Sequence, residues 1–168
     1  MIPTWPPAEA VLFLAEPIIK NAEGFDARPY LCPAGIPTIG WGTTRYPNGR
    51  RVTLQDKPVS QAEAEIFLQA SARRVLAQLQ GIVARAPTVR QAAALLSLAY
   101  NIGVGAHDGR KGDLADSTLL ECFDRGDLAG AAAHFLDWNK ARIGGRLQAL
   151  PGLTARRKAE QALFSAAA

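Results

Sequence analysis

Between positions 23 and 38 the chain reads EGFDARPYLCPAGIPT, so a carboxylate (Glu23), a thiol (Cys32) and a hydroxyl (Thr38) fall within one short, irregular stretch. Each has an ordinary explanation. Glu23 suits a solvated helix end, Cys32 a small buried hydrophobe and Thr38 a strand. The place of Glu23 points further. A helix should end there, and a carboxylate then faces the negative end of the helix dipole, a disadvantage of about 0.3–1 kcal/mol. Stability alone prefers lysine or arginine. The same field, with any burial, favours the neutral acid, and a neutral carboxylic acid is what donates a proton to a departing glycosidic oxygen.

Cys32 and Thr38 bracket five residues, a loop length that lets its flanks face one another across a hairpin. The following TIGWG places Gly40 and Gly42 alternately on an expected strand, which clears one face of side chains. Glycine in a strand often marks the close approach of a ligand or another backbone. An open strand face beside a helix-end glutamate describes a cleft.

The elements that must hold these groups follow from periodicity. Ala8 to about Ala22 reads as a helix that Pro17 should kink or divide, with Gly24 as its stop signal. Residues 28 to 54 change to glycine, proline, threonine and aromatics, with an Asn48-Gly49 turn signal, and predict a two- or three-stranded sheet. Ser60 and Glu63 form a capping box for a helix through about Gln80, ended or weakened at Gly81. Thr88 to Tyr100 predicts another helix, with Val89, Ala92, Ala93, Leu96, Ala99 and Tyr100 inward. Asp116 or Ser117 opens a short helix ending near Gly126, Asp127 caps one through about Lys140, and a last helix covers about Thr154 to Ala166. A helical body with one small β insertion is an α+β fold.

The 168 residues suit one domain, or two small lobes sharing a core, and are enough to fold without staples. Two cysteines make no disulfide framework, and neither a CxxC pair nor ligand-like spacing of His107 and His134 suggests a metal; no cofactor is implied. A net charge of +4 favours polyanions in general. The basic residues are scattered, however, without a long arm or an aromatic RNA-binding signature, which argues against nucleic acid. The apolar run Ala10–Ala15 has six residues, too few for a membrane span or a signal peptide, so a soluble chain made in the cytoplasm is expected.

The run E-G-x6-L-C-P-A-G-x-P-T-I-G-W-G resembles the signature of the phage-type lysozymes, glycoside hydrolase family 24. Their triad is a glutamate, eight residues, Asp or Cys, five residues, and Thr; Glu23, Cys32 and Thr38 match that spacing. The likeness continues through QAAALLSLAYNIGVGA and DSTLLECFDRGDLAGAAAHFLDW to GLTARRKAEQALF, roughly residues 15 to 165. The chain differs at Cys32, often Asp in the family, at Thr43, where many relatives carry His, and in a longer polar loop at 107–113.

The resemblance implies a single lysozyme-like domain over 1–168, with a β-containing catalytic lobe at about 23–58 and a helical lobe at about 60–168. It implies hydrolysis of the β-1,4 bond between N-acetylmuramic acid and N-acetylglucosamine in peptidoglycan. Glu23 would be the general acid and Thr38 would position water. Cys32 would be a water-orienting weak base or, second, a thiolate nucleophile; neither role is compatible with a disulfide to Cys122. Gly40, Gly42 and Asn101 are candidate substrate contacts, with Asn101 and Ser117-Thr118 expected in loops that resemble substrate-facing parts, unless Ser117 is a helix cap. GLTARR suggests an arginine beside the glutamate, Arg156 or alternatively Arg157, against an equal case for a solvated basic pair. Trp41 and Trp138 are expected in packing. The family implies a monomer without stable membrane insertion, which reaches the wall after a holin permeabilises the membrane. Two rivals remain: a lytic transglycosylase, and a wall-binding or virion structural protein without activity.

Overall fold

A computed structural model describes residues 3–32, 34–109 and 112–166. The element order is α1 (Ala8–Glu23), β1 (Asp26–Leu31), β2 (Pro37–Gly40), α2 (Gln61–Ile82), α3 (Val89–Ile102), α4 (Thr118–Asp124), α5 (Leu128–Ala133), a 3-10 turn (His134–Trp138), β3 (Lys140–Ile143), β4 (Arg146–Ala149) and α6 (Pro151–Ser165). The α+β reading holds.

Helix α3 organises the body. Every residue from Gln91 to Ala99 is buried, so the helix is enclosed on all sides rather than on the single inward face its periodicity predicts. The run of alanines makes this possible: their small side chains let α1, α2 and α6 pack closely against it. Thr88 and Gln91 close a capping box at its start, as Ser60 and Glu63 do for α2.

Several boundaries differ from expectation. Helix α1 is undivided, with Pro17 inside it. Pro17 and Phe13 lie on the exposed side, where water can satisfy the Phe13 carbonyl that Pro17 leaves unpaired. Gly81 lies inside α2, which runs on to Ile82 with Val83 as its cap. The segment after Asp127 stops being helical at Trp138, and Lys140 begins a β3–β4 hairpin that the sequence reading does not contain. Helix α6 starts at Pro151, three residues before Thr154, because proline suits the first helical turn.

The β lobe is small. Strands β1 and β2 pair antiparallel, and among the described residues the sheet is continued beyond them only by the isolated bridges Ile39–Thr43 and Arg45–Arg51. The Asn48-Gly49 turn forms, with Gly49 at φ +87° and its N–H donating to the Tyr46 carbonyl at 3.0 Å. A minor core of Ile39, Tyr46 and Val52 holds the lobe together. Asp56 ties its loop down by accepting from Tyr46 Oη (2.9 Å), Thr53 N (2.9 Å) and Arg50 Nη1 (2.8 Å).

Candidate active site

Helix α1 ends at Glu23, and Gly24 follows at φ +69° with its N–H on the Lys20 carbonyl. The Glu23 side chain keeps 22 % of its surface exposed and accepts a 2.7 Å hydrogen bond at Oε1 from Nη1 of Arg156. Its other oxygen lies along Gly42, where a Cβ would stand 3.0 Å from Oε2. Gly42 has φ +79°, a conformation natural to glycine, and the absent side chain leaves room for the carboxylate. One oxygen is therefore fixed by a cation and the other has space.

Arg156 and Arg157 are both buried, which overturns the solvated reading of the pair. Arg156 donates to Glu23 on α1, to the Ser97 carbonyl on α3 at 2.9 Å, and to Glu160 one turn along α6 at 3.2 Å. Glu160, fully buried, also accepts from Ser97 Oγ (2.7 Å) and from Arg157 Nη2 (3.0 Å). Arg157 Nε lies 2.9 Å from Glu160 Oε2, an ion contact off the line of the N–H bond. Burial pushes Glu160 above the usual carboxylate range and Arg157 down to about 10, while their mutual attraction opposes both shifts. The network anchors the cation that holds Glu23. Sequence reasoning missed Glu160 and Ser97, although the Arg156/Arg157/Glu160 spacing of three and four is a readable helical ion-pair pattern.

In the β lobe, β1 and β2 place Tyr30 opposite Thr38 and Leu31 opposite Pro37. The Cys32 N–H donates to the Ile36 carbonyl (3.1 Å) and the Gly35 N–H to the Cys32 carbonyl (2.8 Å), so Cys32 starts the turn. Thr38 is thus a diagonal neighbour of Cys32 across the hairpin. Its hydroxyl is buried and donates to the Ile36 carbonyl at 2.9 Å. Burial alone would raise the Cys32 thiol. Hydrogen bonds from the N–H groups of Ile36 and Ala34 and from the Thr38 hydroxyl outweigh it and hold the thiol below its ordinary value. The Thr38 hydroxyl has one proton, which serves either the carbonyl or the sulfur.

Tyr30 lies within electrostatic reach of both Glu23 and Cys32. Its hydroxyl is pushed up by burial first, and then by the charges of Glu23, Cys32 and Asp26 within reach of it. Tyr100 is raised in the same way, by burial and then by Glu23, and its Oη donates to the Trp41 carbonyl at 3.3 Å. Periodicity places Tyr100 on the inward face of its helix as a core aromatic, and nothing in the sequence marks either tyrosine as part of a site.

This chain matches the family model described as phage lysozyme over residues 20–160. It belongs to the phage lysozyme family. An endolysin of Acyrthosiphon pisum secondary endosymbiont phage 1 is 38% identical over 150 residues, covering 89% of this chain and 94% of that protein. An endolysin of Bacillus phage B103 is 31% identical over 147 residues; the alignment takes in 88% of this chain but only 51% of that relative. Among solved structures, the endolysin from Escherichia coli O157:H7 phage FAHEc1 superimposes with a TM-score of 0.73 at 29% identity, covering 94% of this chain and 89% of that one. The protein is a glycoside hydrolase of the lysozyme type.

Within this lysozyme-family fold, some anticipated site residues stand elsewhere. Gly40 is buried against α2: a Cβ there would lie 2.8 Å from Cβ of Ala64, so its bareness serves packing rather than an open strand face. Asn101 is exposed in the last turn of α3, not in a loop. Ser117 caps α4 by accepting from the Leu120 N–H at 3.1 Å, and Thr118 begins that helix. Both line a cavity of about 180 Å³ with Asp113, Asp116, His134 and Trp138, which includes none of Glu23, Cys32 and Thr38. Part of the 107–113 loop, residues 110–111, lies outside the described residues. Trp41 packs on Phe25 with ring centroids 5.0 Å apart and carries the Lys20 ammonium 4.8 Å above its ring. Cys32 and Cys122 are both free thiols. Among the described residues no group of three or more His, Cys, Asp and Glu is placed to hold a metal ion, and no helix is long and apolar enough to cross a membrane.

Proposed function

We propose that the chain hydrolyses the β-1,4 bond between N-acetylmuramic acid and N-acetylglucosamine in peptidoglycan, with Glu23 as general acid and Thr38 and Cys32 holding the attacking water. The observation that carries this reading is the asymmetric environment of Glu23. Oε1 is engaged by Arg156, while Oε2 lies along a glycine and the side chain stays partly exposed. A carboxyl held at one oxygen and free at the other delivers a proton in a fixed direction, and orientation supplies much of such catalysis. The Cys32 thiol, held low by its hydrogen-bond donors, is a better acceptor from water at neutral pH than a free cysteine. Gly42 makes room for Glu23 and for a sugar.

The chain then works as one lysozyme-like unit, residues 23–58 forming the catalytic lobe on a helical lobe from residue 60 onward. It acts as a monomer, stays in the host cytoplasm after synthesis, and meets the wall once a holin has opened the membrane. Its net charge of +4 suits an anionic wall. The test is the chemistry of the released muropeptides by mass spectrometry. Reducing ends are expected. 1,6-anhydro ends would replace hydrolysis with transglycosylation, and no release at all from permeabilised Gram-negative cells would leave a binding or structural protein.

A further inference from the structure

Trp41, in the TIGWG run, is held at both its ring and its carbonyl. The Lys20 ammonium lies 4.8 Å from the centroid of its ring, and Phe25 packs on the same side chain with centroids 5.0 Å apart. Those two residues flank Glu23 in the chain, one three positions before it and the other two after. Lys20 is in turn fixed from α2, where it donates to Oε1 of Glu65 at 2.6 Å. The carbonyl is gripped from a third helix, for Tyr100 Oη of α3 donates to it at 3.3 Å. That carbonyl belongs to the Trp41–Gly42 peptide, and Gly42 is the residue along which Oε2 of Glu23 lies. A peptide unit is planar, so holding the carbonyl of Trp41 fixes where Gly42 begins. Beyond Gly42 the chain is pinned again, because the Thr43 N–H donates to the Ile39 carbonyl at 2.9 Å.

We propose that Lys20 and Tyr100 are positioning residues that act through Trp41 and set the gap between Gly42 and the Glu23 carboxyl. The proposal rests on the reading of Glu23 as general acid and deepens it. The ammonium holds the indole by attraction to the face of its ring, which is stronger for tryptophan than for the other aromatics. The grip is reciprocal: residues on either side of Glu23 hold the ring, and the peptide after the ring walls the carboxyl. Arg156 fixes Oε1 while Gly42 bounds Oε2, so a drift of the 41–42 segment redirects the proton without touching the Arg156 bond. Loss of the grip therefore lowers kcat and leaves KM near its value, since misplacing a catalytic group by about 1 Å costs up to about 10²-fold. A second ion pair between the same helices, Glu9–Arg73 at the start of α1, supplies the comparison.

The test is kinetics on soluble peptidoglycan fragments, with urea unfolding to establish the folded fraction of each variant. Lys20→Met keeps the length of the side chain and loses its charge; it should lower kcat about tenfold with KM little changed. Lys20→Arg should recover most of that loss, because a guanidinium serves both the ring and Glu65. Tyr100→Phe removes only the hydroxyl and should lower kcat about threefold. Arg73→Gln, which breaks the Glu9 pair, should leave kcat unchanged. A double-mutant cycle decides whether Lys20 acts through the ring: in a Trp41→Leu background, apolar but without an aromatic face, Lys20→Met should cost about twofold more at most. An undiminished cost there, a kcat loss from Arg73→Gln equal to that from Lys20→Met, or a change in KM alone would overturn the proposal. Amide exchange reads the grip apart from catalysis. The Thr43 N–H should exchange about tenfold faster in Lys20→Met and Tyr100→Phe, and return toward the wild-type rate in Lys20→Arg. An unchanged Thr43 rate would overturn the grip even where kcat falls. Near wild-type activity of Glu23→Gln would instead overturn the general-acid reading, while Thr43 exchange still decides the grip. If Trp41→Leu does not fold, the two Lys20 variants and the exchange rates decide the matter.

Discussion

Arg156 reaches Glu23 across 133 positions of sequence and donates to its Oε1 at 2.7 Å. A cation from the last helix thus answers a carboxylate that ends the first. The helix dipole disfavours an anion at that end of α1, and the guanidinium offsets it. Because Arg156 is itself held by Glu160 and the Ser97 carbonyl, the carboxyl group it holds is fixed in direction.

Glu23→Gln should therefore reduce lysis at least a hundredfold, since general acid catalysis contributes about 10²–10⁴-fold and the amide has no proton to give. Relief of the helix dipole alone would leave stability level or slightly higher in this variant. The Arg156 contact reverses the sign: an ion pair becomes a hydrogen bond from the cation to a neutral amide, a loss of about 1 kcal/mol. Turbidity loss and urea unfolding measure the two effects. Near wild-type lysis would remove Glu23 from the chemistry.

Glu160→Ala should be among the most destabilising single changes in the chain, at about 3–5 kcal/mol, because it leaves two buried guanidiniums without the anion they share. Part of the activity of the folded fraction should vanish too, as Arg156 loses an anchor. Equilibrium unfolding with kinetics on the folded fraction checks this; a loss below 1 kcal/mol would show that water or another group already satisfies the pair.

The two glycines of the TIGWG run should separate packing from chemistry. Gly40→Ala drives a methyl into Ala64 and should destabilise by about 1–3 kcal/mol while leaving kcat of the folded protein near wild type. Gly42→Ala instead crowds Glu23 and should lower kcat about tenfold or more, since small misplacements of a catalytic group cost heavily. Gly24→Ala, at φ +69° with open space around it, serves as the control: strain alone, at about 1 kcal/mol, with little effect on kcat. Equal kcat in all three would detach Gly42 from the site.

Cys32 gives a prediction in pH. In a Cys122→Ser background, iodoacetamide modification followed by intact mass should titrate below the ordinary thiol value of about 8.5, because the hairpin's donors favour the thiolate. A folded value below the unfolded one contributes stability that is complete above the unfolded value and is lost as pH falls through the folded one. The alkaline side should thus be the more stable, and Cys32→Ala should flatten that slope. Modification titrating at or above 8.5 would contradict the hydrogen-bond account.

Substitution then separates the two roles of the thiol. If Cys32 orients water, Cys32→Asp stays active, Cys32→Ser is intermediate and Cys32→Ala loses most activity. An obligate nucleophile leaves both Ser and Ala nearly dead and retains the anomeric configuration, whereas direct attack by water inverts it. NMR of the first-formed reducing sugar reads the difference, and a fully active Cys32→Ala would defeat both.

Local rules account for much of what the sequence determined by itself. Gly24 stops α1 because left-handed backbone there needs glycine. Ser60 and Thr88 open their helices through side-chain caps on neighbouring N–H groups. Asn48-Gly49 turns the chain, and the five residues after Cys32 return it so that Thr38 pairs with Tyr30, diagonal to Cys32 rather than facing it as the loop length suggested. Each of these depends on contacts within a few residues, which spacing encodes directly. The β3–β4 hairpin escaped because Ile143 and Leu147 stay exposed, so no buried face imposes alternation on the residues around Gly144-Gly145.

What only the tertiary structure decided involves partners far apart in the chain. Gly40 and Gly42 read alike as bare strand positions, yet one meets Ala64 of α2 and the other Glu23 of α1. Arg156-Arg157 reads as a solvated pair on a helix surface as readily as a buried network, and the choice rests on Glu23, Ser97 and Glu160 converging from three helices. Trp41 is likewise gripped at once by Lys20 of α1 and Tyr100 of α3, both far from it in sequence. Electrostatic environment depends on distance and burial, and separation along the chain carries neither.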